Sequence, residues 1–144
     1  MHSVNIDLAS GIAAFEAKEF RRAMQLLSPL AEEGEAEAQF RLGIIYQTGL
    51  GVVSNESYAY RWMRESAQQG HALAQHGLGI MYLFGECAEK NEVEALKWFE
   101  KAAAQGLIGA LTTMAMIYQD GLGVEPDADK AKELYRRAGF DDLG

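Results

Sequence analysis

The chain has 144 residues, 49% hydrophobic and 24% charged, the balance of a chain that folds around a core rather than one that stays disordered. Its 21 acidic and 13 basic residues give a formal net charge of −8, which repels phosphate backbones and argues against nucleic acid as a partner. No apolar run is long enough to span a bilayer, and a single cysteine, Cys87, excludes an internal disulfide framework. Residues Met1 to Asp7 carry neither a basic stretch nor an apolar signal-peptide segment. The expectation is a cytoplasmic protein of a reducing compartment, without membrane insertion.

Taken in chain order, the first unit, residues 3–34, has Gly11, Phe15, Phe20, Ala23, Leu27 and Leu30 at the spacing of a helix-turn-helix repeat of about 34 residues. Pro29 falls inside its second helix, where it removes one hydrogen bond and is expected to bend the helix. The acidic run Glu32-Glu33-Gly34-Glu35 reads as a solvated helix end. In the second unit, residues 35–70, the segment from Glu35 to Thr48 places Ala38, Leu42, Ile45 and Tyr46 near one stripe at helical spacing. Gly49 ends that helix. Asn55 caps the next one, whose stripe is Ala59, Trp62, Met63 and Ala67 and whose end is Gly70. Residues 71–106 and 107–139 repeat the plan with the caps Asn91 and Asp127, and Pro126 marks the last boundary. Residues 140–144 are left as a C-terminal tail.

The units share a period of 36 residues. Gly34, Gly70 and Gly106 keep it, as do Gly49, Gly85 and Gly121, and Tyr46, Tyr82 and Tyr118. Ala23, Ala59, Ala95 and Ala131 keep it across four units. The first unit is four residues shorter between its helices, since Gly11 to Ala23 is 12 residues whereas Gly43 to Ala59 is 16. No segment alternates with period two. The fold expected is all-α, one repeat domain over residues 1–139. Helix pairs stack because no pair can bury its stripe alone.

The run Ala36, Ala38, Leu42-Gly43, Tyr46, Gly49-Leu50-Gly51-Val52, Ala59, Trp62, Ala67 and Gly70 resembles the Sel-one-like repeat (SLR), a longer-loop relative of the tetratricopeptide repeat. The third unit shares Ala72, Ala74, Leu78-Gly79, Tyr82, Gly85, Ala95, Trp98 and Gly106. The fourth shares Ala110, Tyr118, Gly121-Leu122-Gly123-Val124, Asp127, Ala131 and Tyr135. The third departs from the pattern at Gly85-Glu86-Cys87-Ala88, where a differently shaped loop is expected. The fourth departs at Ala115 and Leu134. The resemblance implies a right-handed α/α superhelix (solenoid) of about four helix-turn-helix repeats. It also implies scaffold or adaptor roles of the kind such proteins play in bacterial assemblies. Some secreted relatives carry cysteine pairs in each repeat, and this chain lacks them.

A search for chemistry finds little. There is no P-loop, and the Gly-x-Gly pairs lack a third glycine and a strand. Cys87 with His76 lacks an orienting third group. His71 and His76 are not spaced as metal ligands on one helix face. Asp127 and Asp129 lack the other positions of a calcium loop. No catalytic residue, cofactor or metal is expected. By the resemblance, the first helix of each unit lines the concave face. Its outward positions are Leu8 and Ile12, then Phe40 and Ile44, then His76, Ile80, Leu83 and Phe84, and then Thr112, Met116 and Gln119. Ile12, Ile44, Ile80 and Met116 form a ladder there. Phe84 and His76 are expected to be exposed, while Ile44 and Ile80 are equally readable as groove or as packing.

The function expected is a non-enzymatic interaction module that holds a partner protein or peptide on that face. A small-molecule-binding or hydrolytic relative is the alternative. A self-associating unit is another, with a homo-oligomer formed through an uncapped C-terminal end unless Phe140 and Leu143 fold back as a lid.

Overall fold

The computed structural model describes residues 2–140, with side chains from Ile6 onward. Eight α-helices occupy them: α1 (His2–Glu16), α2 (Phe20–Glu32), α3 (Ala36–Thr48), α4 (Glu56–Gln68), α5 (Ala72–Phe84), α6 (Glu92–Ala104), α7 (Ile108–Asp120) and α8 (Ala128–Arg137). They follow one another as helix pairs, and no strand occurs among the described residues. The helices start and stop where the sequence supplies caps. Asn55, Asn91 and Asp127 each accept a hydrogen bond from a backbone N–H of the first turn, at 3.0, 3.0 and 2.9 Å. Gly49 and Gly121 end α3 and α7 in the left-handed conformation, at φ 72° and 71°. Glu35 does more than end a solvated run, because its carboxylate caps α3 by accepting from Glu37 N at 3.2 Å. Pro29 sits in the last turn of α2, which continues through it to Glu32. Three residues join α1 to α2, against seven in each later pair, which is the four-residue deficit read from the spacing.

The chain divides into two compact units, residues 1–74 and 75–144. In the first, α2 and α3 bring Ala23, Leu27, Leu30, Ala31, Ala38, Leu42 and Ile45 together with Ala14 and Trp62. Gly43 lets α3 approach α4 closely, since a Cβ there would stand 3.1 Å from Met63 Cε and 3.3 Å from the Met63 backbone nitrogen. The buried side chains of Ser66 and Gln39 are both hydrogen-bonded. Ser66 Oγ donates to the Ala36 carbonyl (2.7 Å), Gln39 Nε2 to the Ala31 carbonyl (3.1 Å), and Gln69 Nε2 to Gln39 Oε1 (2.8 Å).

The second unit is built around Phe99, which is fully buried among Leu83, Ala95, Ala110, Met114, Ile117 and Leu134. Burying such a ring contributes roughly 1.5–3 kcal/mol. Gly79 faces it directly, for a Cβ there would lie 2.7–2.9 Å from three Phe99 ring atoms. Gln105 Nε2 donates to the buried Gln75 Oε1 at 2.9 Å, repeating the Gln69–Gln39 bond of the first unit. Phe140 turns back onto Tyr135 edge to face, with ring centroids 6.3 Å apart, yet stays half exposed. Leu143, the other residue of the expected lid, lies outside the described residues.

Candidate functional site

In the first unit Leu8 and Ile12 on α1, and Phe40 and Ile44 on α3, are each half-buried. Leu8 packs against the core. Phe40 stacks on the His71 imidazole, with centroids 4.7 Å apart and planes at 29°. His71 Nδ1 accepts from Ala74 N (3.1 Å), so the ring hydrogen sits on Nε2 and is donated to Glu37 Oε2 (2.9 Å). His71 is thus a helix cap for α5, a role that the histidine spacing does not reveal. Arg41 lies over the Phe15 ring at 4.9 Å and within 3.9 Å of both Glu16 and Glu37, so the apolar stripe is edged by a chain of charges.

The second unit presents a different surface. The α5 sequence, ALAQHGLGIMYLF, has no formally charged residue, and α7 has only Asp120. His76, Ile80 and Phe84 succeed one another at intervals of four and so share one stripe. Phe84 is 57% exposed. His76 is half-buried rather than free, its ring 5.3 Å from that of Phe99. Its Nε2 lies 3.2 Å from Thr113 Oγ1, whose own hydrogen goes to the Gly109 carbonyl at 2.9 Å. The imidazole therefore donates, and burial holds its pKa below the ordinary histidine value. Ile80 and Met116 are half-buried, with one side against the core. Thr112 turns its hydroxyl to the Gly109 carbonyl, and the exposed Gln119 accepts from the Tyr135 hydroxyl at 3.2 Å. Leu83 must be removed from the outward set. It is only 2% exposed and belongs to the Phe99 core, because one residue's step back from Phe84 turns a helix by about 100° and carries the side chain inward.

Sequence reading missed a cavity of about 190 Å³ in the first unit, where Tyr46, Tyr58 and Trp62 meet Glu32 and Arg61. The aromatic identity of Tyr58 is its one signal, since the equivalent places carry Glu94 and Lys130. Among the described residues no three His, Cys, Asp or Glu side chains gather as metal ligands, and no helix is long and apolar enough to cross a membrane.

The Sel1 repeat family profile matches residues 36–71, 72–107 and 110–139. Among solved structures, a Sel1 repeat protein from Oxalobacter formigenes is 37% identical, with a TM-score of 0.83 over 91% of this chain and 54% of that one. A protective antigen present in uropathogenic Escherichia coli strains, displaying an SLR fold, is 32% identical, with a TM-score of 0.87 over 94% of this chain and 30% of that one. The chain thus spans about half the length of the first and under a third of the second. No curated protein matches it. Its repeat spacing, its caps, its paired helices and the profile agree, and the chain belongs to the Sel1 repeat family.

Proposed function

We propose that this chain is a non-enzymatic binding module that holds a partner polypeptide against the outward stripes of its odd-numbered helices. The observation that carries the reading is the stripe of α5, where His76, Ile80 and Phe84 stand without a charged neighbour on their helix and Phe84 is left 57% exposed. Apolar side chains kept at a surface in register favour a partner that covers them. Leu8, Ile12, Phe40 and Ile44 extend the reading to the first unit, and Thr112, Met116 and Gln119 to α7. The net charge of −8 disfavours nucleic acid as that partner.

The test is capture from host lysate by the immobilised chain and by Phe84→Asp, with far-UV circular dichroism as the control for folding. Phe84 is exposed, so the variant should keep its helicity and lose the captured protein. A partner retained equally by both would remove this stripe from the binding surface.

A further inference from the structure

We propose that the cavity between α2, α3 and α4 of the first unit is a binding site for an organic ammonium ion. Its wall is aromatic, with Tyr46 and Tyr58 edge to face at 5.2 Å and Trp62 beside them. Its charged edge is Glu32, whose carboxylate lies 3.5 Å from the Arg61 guanidinium, and Arg61 is shared in turn with Glu65 outside the cavity at 3.6 Å. At about 190 Å³ the space suits a single head group or side chain and is below the roughly 300–1,000 Å³ of sites for larger ligands. Aromatic faces with a nearby carboxylate attract cations through the ring quadrupole and through Coulomb attraction.

The chain contains two internal demonstrations of this chemistry. Arg61 itself lies over the Trp62 ring, 4.3 Å from its centroid. In the last helix pair, Lys130 occupies the place equivalent to Tyr58, and its ammonium sits 5.2 Å over the ring of Tyr118, the equivalent of Tyr46. The repeat's tyrosine therefore accepts an ammonium when the chain supplies one. In the second helix pair the chain places a further aromatic ring there instead of a lysine, and its own cation, Arg61, lies over Trp62. The site is distinct from the stripes proposed above and does not depend on them.

Trp62 reports on the site, and Trp98 is the only other tryptophan. In a Trp98→Phe background, tetramethylammonium chloride is titrated against matched sodium chloride while Trp62 emission is followed. The expected result is a saturable change with tetramethylammonium alone. Tyr58→Leu and Glu32→Gln should each weaken the apparent Kd by about threefold or more, the range of one cation–π or charge contact. Arg61→Ala should tighten it by a similar factor, because it frees Glu32 and the Trp62 face. A lysine probe, N-acetyl-lysine amide, run in parallel distinguishes a partner's side chain from a free quaternary ammonium. A response matching sodium chloride, an unchanged Kd in Tyr58→Leu, or weaker binding in Arg61→Ala overturns the proposal. The indole N–H resonance of Trp62 in the unsubstituted chain gives the same readout if Trp98→Phe does not fold.

Discussion

Gly43 and Gly79, 36 residues apart, close equivalent helix crossings in the two units, but the residue that fills the gap differs. In the first unit Gly43 faces Met63, a flexible thioether whose Cε would stand 3.1 Å from an added Cβ. In the second, Gly79 faces the ring of Phe99, three atoms of which would stand 2.7–2.9 Å from an added Cβ and which is fully buried. The two crossings solve the same geometric problem with different tolerance. An unbranched side chain can slide aside, whereas an enclosed ring can move only by displacing its neighbours.

This contrast predicts the largest effects. Phe99→Ala should lower unfolding free energy by about 3–5 kcal/mol, the usual cost of emptying a core ring site. Gly79→Ala should cost about 1–3 kcal/mol by overpacking. Gly43→Ala should cost less than Gly79→Ala, because only Met63 Cε needs to move far, although the backbone at 3.3 Å keeps the change unfavourable. Urea midpoints of the three variants, measured beside the parent chain, check the order. Equal losses at Gly43 and Gly79 would show that backbone approach, rather than the filler, limits both crossings.

The seven-residue connections offer a second comparison. At their third position stand Gly51 with φ 72° and Gly123 with φ 74°, but Cys87 with φ 63°. The path through the left-handed region is shared, and only the middle connection follows it with a side chain. Gly51→Ala should cost about 1–2 kcal/mol, the strain of an L-residue in that region. It would also bring its Cβ to 3.1 Å from Phe20 Cβ. Cys87→Gly should go the other way and stabilise by about 0.5–1 kcal/mol, the relieved strain less the extra entropy of glycine in the unfolded chain. Thermal midpoints moving in opposite directions would support a common backbone path. A loss in Cys87→Gly would mean that the cysteine side chain contributes more than its strain costs.

Most of the fold was legible because its information is local and repeated. A cap at Asn55, Asn91 and Asp127, a glycine at Gly49, Gly85 and Gly121, and a small residue at Ala23, Ala59, Ala95 and Ala131 each announce themselves three or four times. The departure at Gly85-Glu86-Cys87-Ala88 suggests a differently shaped loop, but Cys87 at φ 63° follows the left-handed path of Gly51 and Gly123 at the same place. The candidate surfaces were less legible, since a stripe at helical spacing has edges that depend on rotation. Leu83 lies on the wrong side of such an edge, and His76, expected to be exposed, is half-buried and held by Thr113 and Phe99. The cavity at Tyr58 was invisible for a different reason. Its walls come from three helices, and no single stretch of sequence brings Glu32, Tyr46 and Trp62 together.

The smallest predicted effect separates the two histidines that the structure describes in detail. Both place a hydrogen on Nε2, but His71 receives a backbone N–H at Nδ1 in the first unit, while His76 is set against Phe99 in the second. Burial lowers the His76 pKa in the folded chain below its unfolded value near 6.5, so the unfolded chain binds the proton first as pH falls. The stability that neutral His76 contributes is therefore complete above about pH 6.5 and is lost as pH drops through the lower folded value. His76→Gln can keep a hydrogen bond to Thr113 but cannot titrate. Its urea midpoint should fall less than that of the parent between pH 7 and pH 5, with the two curves running parallel above pH 7. Parallel curves throughout that range would mean that His76 is protonated as easily folded as unfolded, and that its contact with Phe99 does not exclude the charge.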